Sequence, residues 1–410
     1  MFTHLSEYPG DPILTLNENY LKDARPNKVN LSIGIYFDEN GDLPLMGAVR
    51  TAEQRLVSRL SAKPYQPMEG SAAYTRAVQH LLFGIDHPAL AARRVATIQT
   101  VGSCGALRLG ADFLRIAFPD SQVWVSDPTW ENHNSILRSA GMTVHSYPYF
   151  DAGQGGIRFG DMLSTLEALP PQSVVLLHAC CHNPTGEDLS EAQWQTLIEL
   201  LVRRRLIPFL DLAYQGFGDG LEADAAPIRA LADSGLSFLA ANSFSKNMGV
   251  YGERGGALSI VCPDAAQADR VLGQLKSCVR QSYSNPPLHA ALLVSEVLST
   301  PELRAQWAEE VEQMRQRILT MRQALHAALV ARLPGHDFSY VLRQRGMFSY
   351  TGLSQAQVNE LLERHAIYLV RSGRLCIPGL NPGNVEVVAE AMAAVLAHEA
   401  AAGQASPARA

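Results

Sequence analysis

Lys246 stands in the run Ser243-Phe244-Ser245-Lys246-Asn247-Met248-Gly249, which continues through Val250-Tyr251-Gly252-Glu253 to Arg254-Gly255-Gly256. An amine beside two serine hydroxyls, with a guanidinium further along, joins two kinds of chemistry. The amine can form an imine with a carbonyl compound, and the hydroxyls and guanidinium can hold a phosphate. Pyridoxal phosphate carries both groups. Read alone, the stretch fits equally well a surface Ser/Gly turn that happens to hold a lysine. Apolar runs at 236–240 and 257–261 read as short buried strands, which puts Lys246 on the loop between them.

Other polar residues fall where such a site needs them. A strand at 95–100 leads into Gly102-Ser103-Cys104-Gly105, and an apolar-periodic helix is expected over 106–117. Strand, small-residue loop and helix N-terminus make a phosphate cradle, because backbone N–H groups and the positive end of the helix dipole face the loop. Glycine-rich turns also serve packing, and this one lacks both GxGxxG and GK[ST]. A strand at 123–126 ends on Asp127-Pro128-Thr129-Trp130-Glu131-Asn132-His133, where Trp130 could stack on a planar ring or fill a core. The run 174–179 leads into Cys180-Cys181-His182-Asn183-Pro184-Thr185-Gly186, a turn that presents the Asn183 amide. A strand at 207–210 ends on Asp211, with Tyr214 soon after. Asp211 suits the ion pair that keeps a protonated pyridine nitrogen electron-withdrawing, and equally a cap or turn. Tyr214 could bond the ring's oxygen and lower an imine's pKa.

These residues imply the elements that must position them. Strand and helix alternate from 95 to 261, which predicts an α/β fold: a mostly parallel sheet covered by helices, with ligands outside the strands' carboxyl ends. Every candidate so far lies at such an end, and that coincidence favours one cofactor site over scattered structural residues. Ser190 and Gln193 form a capping box for a helix through Arg205. Before the sheet, 29–36 reads as a strand broken by Gly34, a glycine that marks either close backbone approach to a ligand or a bulge. A helix follows at 47–60, and then Tyr65, a residue for the core or the site.

After the sheet the organisation changes. Arg280-Gln281-Ser282-Tyr283-Ser284-Asn285-Pro286-Pro287 breaks two helices, and Pro301 opens a long helix whose stripe Leu303, Trp307, Val311, Met314, Ile318, Met321 and Leu325 faces a core. Segments 338–342 and 347–350 read as a hairpin. A helix from Ser354, a run at 367–377 containing Ser372-Gly373-Arg374, and a closing helix at 385–398 complete a smaller α+β domain.

The chain has 410 residues, enough for two or three domains, and a formal net charge of -6 without a basic block. Nucleic acid and anionic membranes are therefore not expected partners. Six cysteines form no CxxC pair and no metal-like cluster, so no metal site is expected and a reducing compartment fits. Residues 1–12 lack a basic region and apolar core, and no apolar run is long enough to span a bilayer, so the protein is expected to be cytoplasmic.

Six blocks, taken together and in order, carry a resemblance. Gly-Ser-Cys-Gly-Ala-Leu-Arg at 102–108, Cys-His-Asn-Pro-Thr-Gly at 181–186, Asp-Leu-Ala-Tyr-Gln-Gly-Phe at 211–217, Ser-Phe-Ser-Lys-Asn at 243–247, Tyr-Ser-Asn-Pro-Pro at 283–287 and Ser-Gly-Arg at 372–374 resemble the class I aminotransferases, in their aspartate and aromatic amino-acid branch. The resemblance runs from about Asp11 to His398. It implies pyridoxal-phosphate fold type I, with an arm at 1–11, a small domain from 12–45 and 310–398, a large cofactor domain at 46–309, a disordered tail at 399–410, and a homodimer with shared active sites. It further implies that Lys246 forms the aldimine with the cofactor and moves the substrate's proton, in ping-pong turnover. Asp211 would hold the pyridinium, Asn183 and Tyr214 the ring oxygen, and Trp130 the ring face. Ser103, Cys104, Ser243, Ser245 and Arg254 would hold the phosphate, with Tyr65 from the partner subunit. Arg374 would grip the α-carboxylate, where a planar fork serves better than a lysine. Arg280, from the partner, would take a side-chain carboxylate, and Gly34, Trp130 and Asn183 would also meet substrate. His133 and His178 would support the site without catalysing.

Departures from the aspartate type bear on the substrate. Phe37, Leu43 and Pro64 stand where aspartate-preferring members commonly carry polar residues, and Cys104 where they carry threonine, while Asn285 is of the aspartate type. Apolar side chains there favour a phenyl or phenol ring. The expectation is transamination of tyrosine or phenylalanine, and also aspartate, with 2-oxoglutarate; the alternative is a strict aspartate aminotransferase. Of other classes, a nicotinamide dehydrogenase would leave Lys246 without a role and needs a dinucleotide fingerprint. A non-catalytic pyridoxal-phosphate regulator needs a DNA-binding module for which there is no room before Asp11. Lyases and decarboxylases of the same fold do not need both Arg280 and Arg374. A module that binds the cofactor without turnover would stay yellow when amino acids are added.

Overall fold

The computed structural model describes residues 1–8, 10–153 and 155–404. The chain forms two compact units, one Pro44–Gln316, the other Met1–Leu43 with the chain from Arg317 onward.

The unit Pro44–Gln316 is built on a seven-stranded sheet: β1 (Val95–Val101), β2 (Val123–Asp127), β3 (Val144–Pro148), β4 (Val174–His178), β5 (Ile207–Leu212), β6 (Phe238–Ser243) and β7 (Gly255–Val261). Their order across the sheet is β1-β7-β6-β5-β4-β2-β3. Strand β7 runs against both its neighbours; every other neighbouring pair is parallel. Strands β6 and β7, inside the sheet, are buried along their whole length, as strands covered on both faces must be. Ile98, Leu107, Phe113, Val125, Leu176, Phe209, Leu239 and Leu258 meet in the core beneath the helix Gly102–Ala117. Gly110 lets that helix approach the sheet, since a Cβ there would lie 2.4 Å from the Phe209 ring. The expected capping box is formed: Ser190 and Gln193 close the start of the helix Glu191–Arg204. The stripe Leu303, Trp307, Val311 and Met314 is buried along the helix Pro301–Arg332.

The other unit pairs the chain's two ends. Val29–Asn30 lies parallel to Ile367–Tyr368, and Phe348–Tyr350 antiparallel to Arg374–Cys376. Two expectations fail here. The strand expected over 29–36 stops at Asn30, because the backbone closes a tight turn, Ile35 N–H to Ile33 O at 2.9 Å, beside Gly34. No hairpin joins 338–342 to 347–350. The buried Arg322 guanidinium takes the carbonyls of Val341, Gly346 and Phe348, Tyr340–Arg343 coils into a helical turn, and Phe348–Tyr350 finds its partner far along the chain. The first helix, Pro12–Lys22, capped by Asp11, has no counterpart in the sequence reading. The closing helix extends to Gln404, past position 399 where disorder is expected to begin, and 405–410 lie outside the described residues.

Candidate active site

The sheet sets the lysine. Because β6 and β7 are antiparallel neighbours, with Ser243 opposite Gly256, the link between them leaves and re-enters the sheet at the same edge. Asn247 donates its amide to Gln215 O at 3.2 Å, and the buried Trp307 indole donates to Asn247 O at 2.7 Å. Held by these bonds, the half-buried Lys246 carries its Nζ 4.8 Å from the centre of the Tyr214 ring. Asn183 Nδ2 lies 3.5 Å from the Tyr214 hydroxyl.

Asp211 sits inside β5, between His178 of β4 and Ala241 of β6. It is 4% exposed. Its Oδ2 meets His133 Nε2 at 3.1 Å, and His133 Nδ1 is fixed by the Thr129 hydroxyl at 2.8 Å. Its Oδ1 is buried with no hydrogen-bond partner. Burial opposes the carboxylate charge, but the His133 hydrogen bond and the nearby Lys246 charge outweigh it, and the Asp211 pKa stays below the ordinary aspartate value. His178 is different: burial, with His133 close by, lowers its pKa to about 3, so its ring is neutral near pH 7. Trp130 stands edge-on to His133, ring centres 5.2 Å apart.

A second cluster forms where β1 ends and β7 begins. Arg254, in left-handed backbone at φ 55°, donates Nη1 to Ser245 Oγ at 3.2 Å and to Tyr251 O at 3.0 Å. Ser245 N–H donates to Ser243 Oγ at 3.1 Å. Across from them Gly102 N–H donates to Arg254 O at 2.8 Å, and a Cβ on Gly102 would fall 2.6 Å from Arg254 Nη2. The helix expected from 106 begins at Gly102, so Ser103 and Cys104 lie in its first turn, and no side chain caps it. Its first-turn amides and the arginine therefore suit an anion. The Cys104 thiol is pushed up by burial, and the charges of Arg254, Asp211 and Lys246 also act on it.

Thus Ser103, Cys104, Trp130, Asn183, Asp211, Tyr214, Ser243, Ser245, Lys246 and Arg254 all lie in the unit Pro44–Gln316, around the carboxyl ends of its parallel strands. Tyr65 and Arg280 belong to the same unit but stand on its surface, Tyr65 92% exposed. Gly34 and Arg374 belong to the other. A Cβ at Gly34 would lie 2.9 Å from the Phe348 ring, so the backbone approaches that ring closely there. Arg374 is buried, donates to Ser32 O at 2.6 Å and lies 4.1 Å over the Phe348 ring. Sequence reading missed the layer behind the ring site, in which His182 bonds Ser126 and Thr185 and stacks on Tyr149. It also missed the Gln215, Asn247 and Trp307 brace. His182 adjoins Asn183 and could have been suspected; Trp307 gave no local sign.

The residues fit pyridoxal phosphate on their own chemistry: a buried carboxylate oxygen lacking a donor, an uncapped helix start facing an arginine across a glycine, and an amine beside a phenol. The family model "Aminotransferase class I and II" matches residues 26–392. The aromatic-amino-acid aminotransferase of Escherichia coli K12 is 56% identical, over 97% of this chain and 100% of that protein. An aspartate aminotransferase of Pseudomonas aeruginosa is 49% identical, again over 97% and 100%. The crystal structure of an aromatic-amino-acid aminotransferase from Burkholderia pseudomallei, covalently bound to pyridoxal phosphate, superposes with a TM-score of 0.95 at 50% identity, covering 97% of this chain and 99% of that one.

Proposed function

We propose, from the premise that this chain belongs to the class I and II aminotransferases, that it moves amino groups from tyrosine and phenylalanine, and from aspartate, to 2-oxoglutarate. Pyridoxal phosphate, when bound, supplies the electron sink that stabilises negative charge at the substrate's α-carbon. The observation that carries the site assignment is Asp211, whose Oδ2 is taken by His133 while Oδ1 stays buried and unbonded. A pyridinium N–H would complete it. Arg254, Ser243, Ser245, Ser103 and Cys104 would hold the phosphate, Trp130 would cover the ring, and Asn183 and Tyr214 would bond its oxygen. Lys246 would hold the cofactor covalently and, once released, its Nζ would take the proton from the substrate α-carbon. Arg374 would bind the α-carboxylate, with Gly34, Trp130 and Asn183 beside the substrate. Tyr65 and Arg280, both on the surface, would complete the partner subunit's site in a cytoplasmic homodimer.

Phe37, Leu43, Pro64 and Cys104 would favour an aromatic substrate by lining its side chain, since apolar area removed from water stabilises a ring. Asn285 and the aspartate aminotransferase at 49% identity favour the second reading, a strict aspartate enzyme. The test is the half-reaction: purified enzyme is mixed with phenylalanine or aspartate alone, and the cofactor absorbance is followed. Comparable conversion by both is expected. Conversion by aspartate only would make this an aspartate aminotransferase, and no conversion by either would leave a binding protein.

A further inference from the structure

Arg280 closes the helix Ala265–Ser282 at the surface, where an arginine side chain ordinarily samples many rotamers. Here it is tethered. Its Nη1 donates to the Ser284 hydroxyl, Ser284 Oγ donates to Asn285 Oδ1 at 3.1 Å, and Asn285 Nδ2 donates to Gln66 O at 2.7 Å, in the residue after Tyr65. The hydroxyl in the middle of this chain is itself fixed by backbone. Ser284 has φ 66°, left-handed and unusual for serine, and its N–H closes the helix by donating to Val279 O at 2.9 Å. The flanking residues are pinned to strand β1: Tyr283 Oη donates to Gln99 O at 3.3 Å, and Gln99 Nε2 donates to Pro287 O at 2.7 Å.

We infer that Ser284 is a selectivity-determining positioning residue. Its hydroxyl sets the Arg280 guanidinium in advance for a side-chain carboxylate, and through Asn285 joins that arginine to the segment carrying Tyr65. The inference rests on the role proposed above for Arg280. Tethering removes part of the ordering cost that a dicarboxylate would otherwise meet on binding. An aromatic side chain makes no ion pair with Arg280 and gains nothing from the tether. The effect therefore belongs to binding of dicarboxylates, in KM more than in kcat.

The backbone chooses the variants. Alanine at φ 66° would add strain of its own, whereas glycine accepts that conformation and removes only the hydroxyl, and asparagine tolerates it while restoring an acceptor. Steady-state kinetics of the holoenzyme are measured with aspartate, 2-oxoglutarate and phenylalanine for Ser284→Gly, Ser284→Asn and Arg280→Ala. Ser284→Gly is expected to raise KM for aspartate and 2-oxoglutarate roughly three- to tenfold with little change in kcat, to leave phenylalanine unchanged, and to be at least partly reversed in Ser284→Asn. Equal effects on all three substrates, or a glycine loss that asparagine does not recover, would overturn the inference by tracing the change to a loosened backbone. If Arg280→Ala selectively harms the dicarboxylates while Ser284→Gly does nothing, the tether is wrong and the arginine's role stands. If Arg280→Ala shows no selectivity, that role fails, and the inference fails with it.

Discussion

At the residue scale the centre of the site is an electrostatic balance. Asp211 is buried, which disfavours its charge, and His133 restores the charged form through one hydrogen bond. A hydrogen bond to a charged group contributes about 1.5–3 kcal/mol, and one pKa unit corresponds to about 1.4 kcal/mol. His133→Leu should therefore raise the Asp211 pKa, since burial stays and the compensating donor goes. The folded carboxyl of the native protein titrates below its unfolded value, so its stabilising contribution is present above the unfolded pKa and lost only as pH falls through the lower, folded one. In the variant that contribution is gone, and the acid limb of the kcat profile should move to higher pH. A profile unchanged below neutrality would mean that His133 does not govern Asp211.

At the scale of elements, the helix Gly102–Ala117 has two features, an uncapped first turn that suits an anion and the close approach to the sheet at Gly110. They are separable. Gly110→Ala would push a methyl against the Phe209 ring, 2.4 Å away before relaxation, and overpacking of this kind costs about 1–3 kcal/mol. Thermal unfolding should shift down by several degrees while kcat with either substrate at 25 °C stays close to native; an unchanged melting temperature would show that the ring yields freely. The sequence made the sheet strands legible because buried runs such as Leu239-Ala240-Ala241 and Val174-Val175-Leu176-Leu177 are apolar and bounded by loop residues. It made the strand-end residues legible because a parallel sheet gathers them at one edge. It could not show that Arg322 would take the carbonyls of a seeming hairpin, or that Trp307 would brace Asn247. Those outcomes depend on residues distant in sequence, and local periodicity carries no sign of them. The helix start at Gly102, in place of 106, was hidden for another reason: small residues give no apolar period, although their backbone already coils.

At the scale of the whole molecule, exposed residues are as informative as buried ones. Phe2, Leu5 and Tyr8 near the N-terminus are 68%, 64% and 80% exposed, and Tyr65 is 92% exposed, apolar surface that a monomer gains nothing by presenting. Light scattering of the purified protein should give twice the 44.6 kDa chain mass. A single-chain mass with full activity would remove Tyr65 and Arg280 from any shared site. Within the unit Pro44–Gln316, one reversal of direction has a consequence in time. Strand β7 runs opposite to its neighbours, so the turn bearing Lys246 is closed by two strands adjacent in the sequence, a contact with little loop to order. The arginine and helix seat across from it requires β1 to find β7 over most of that unit's length. In a newly made chain the turn that carries Lys246 is thus expected to close early, and the pairing that brings Arg254 opposite Gly102 to form late. On the cofactor roles proposed above for Lys246 and Arg254, a half-folded chain would present its lysine before it could retain the phosphate.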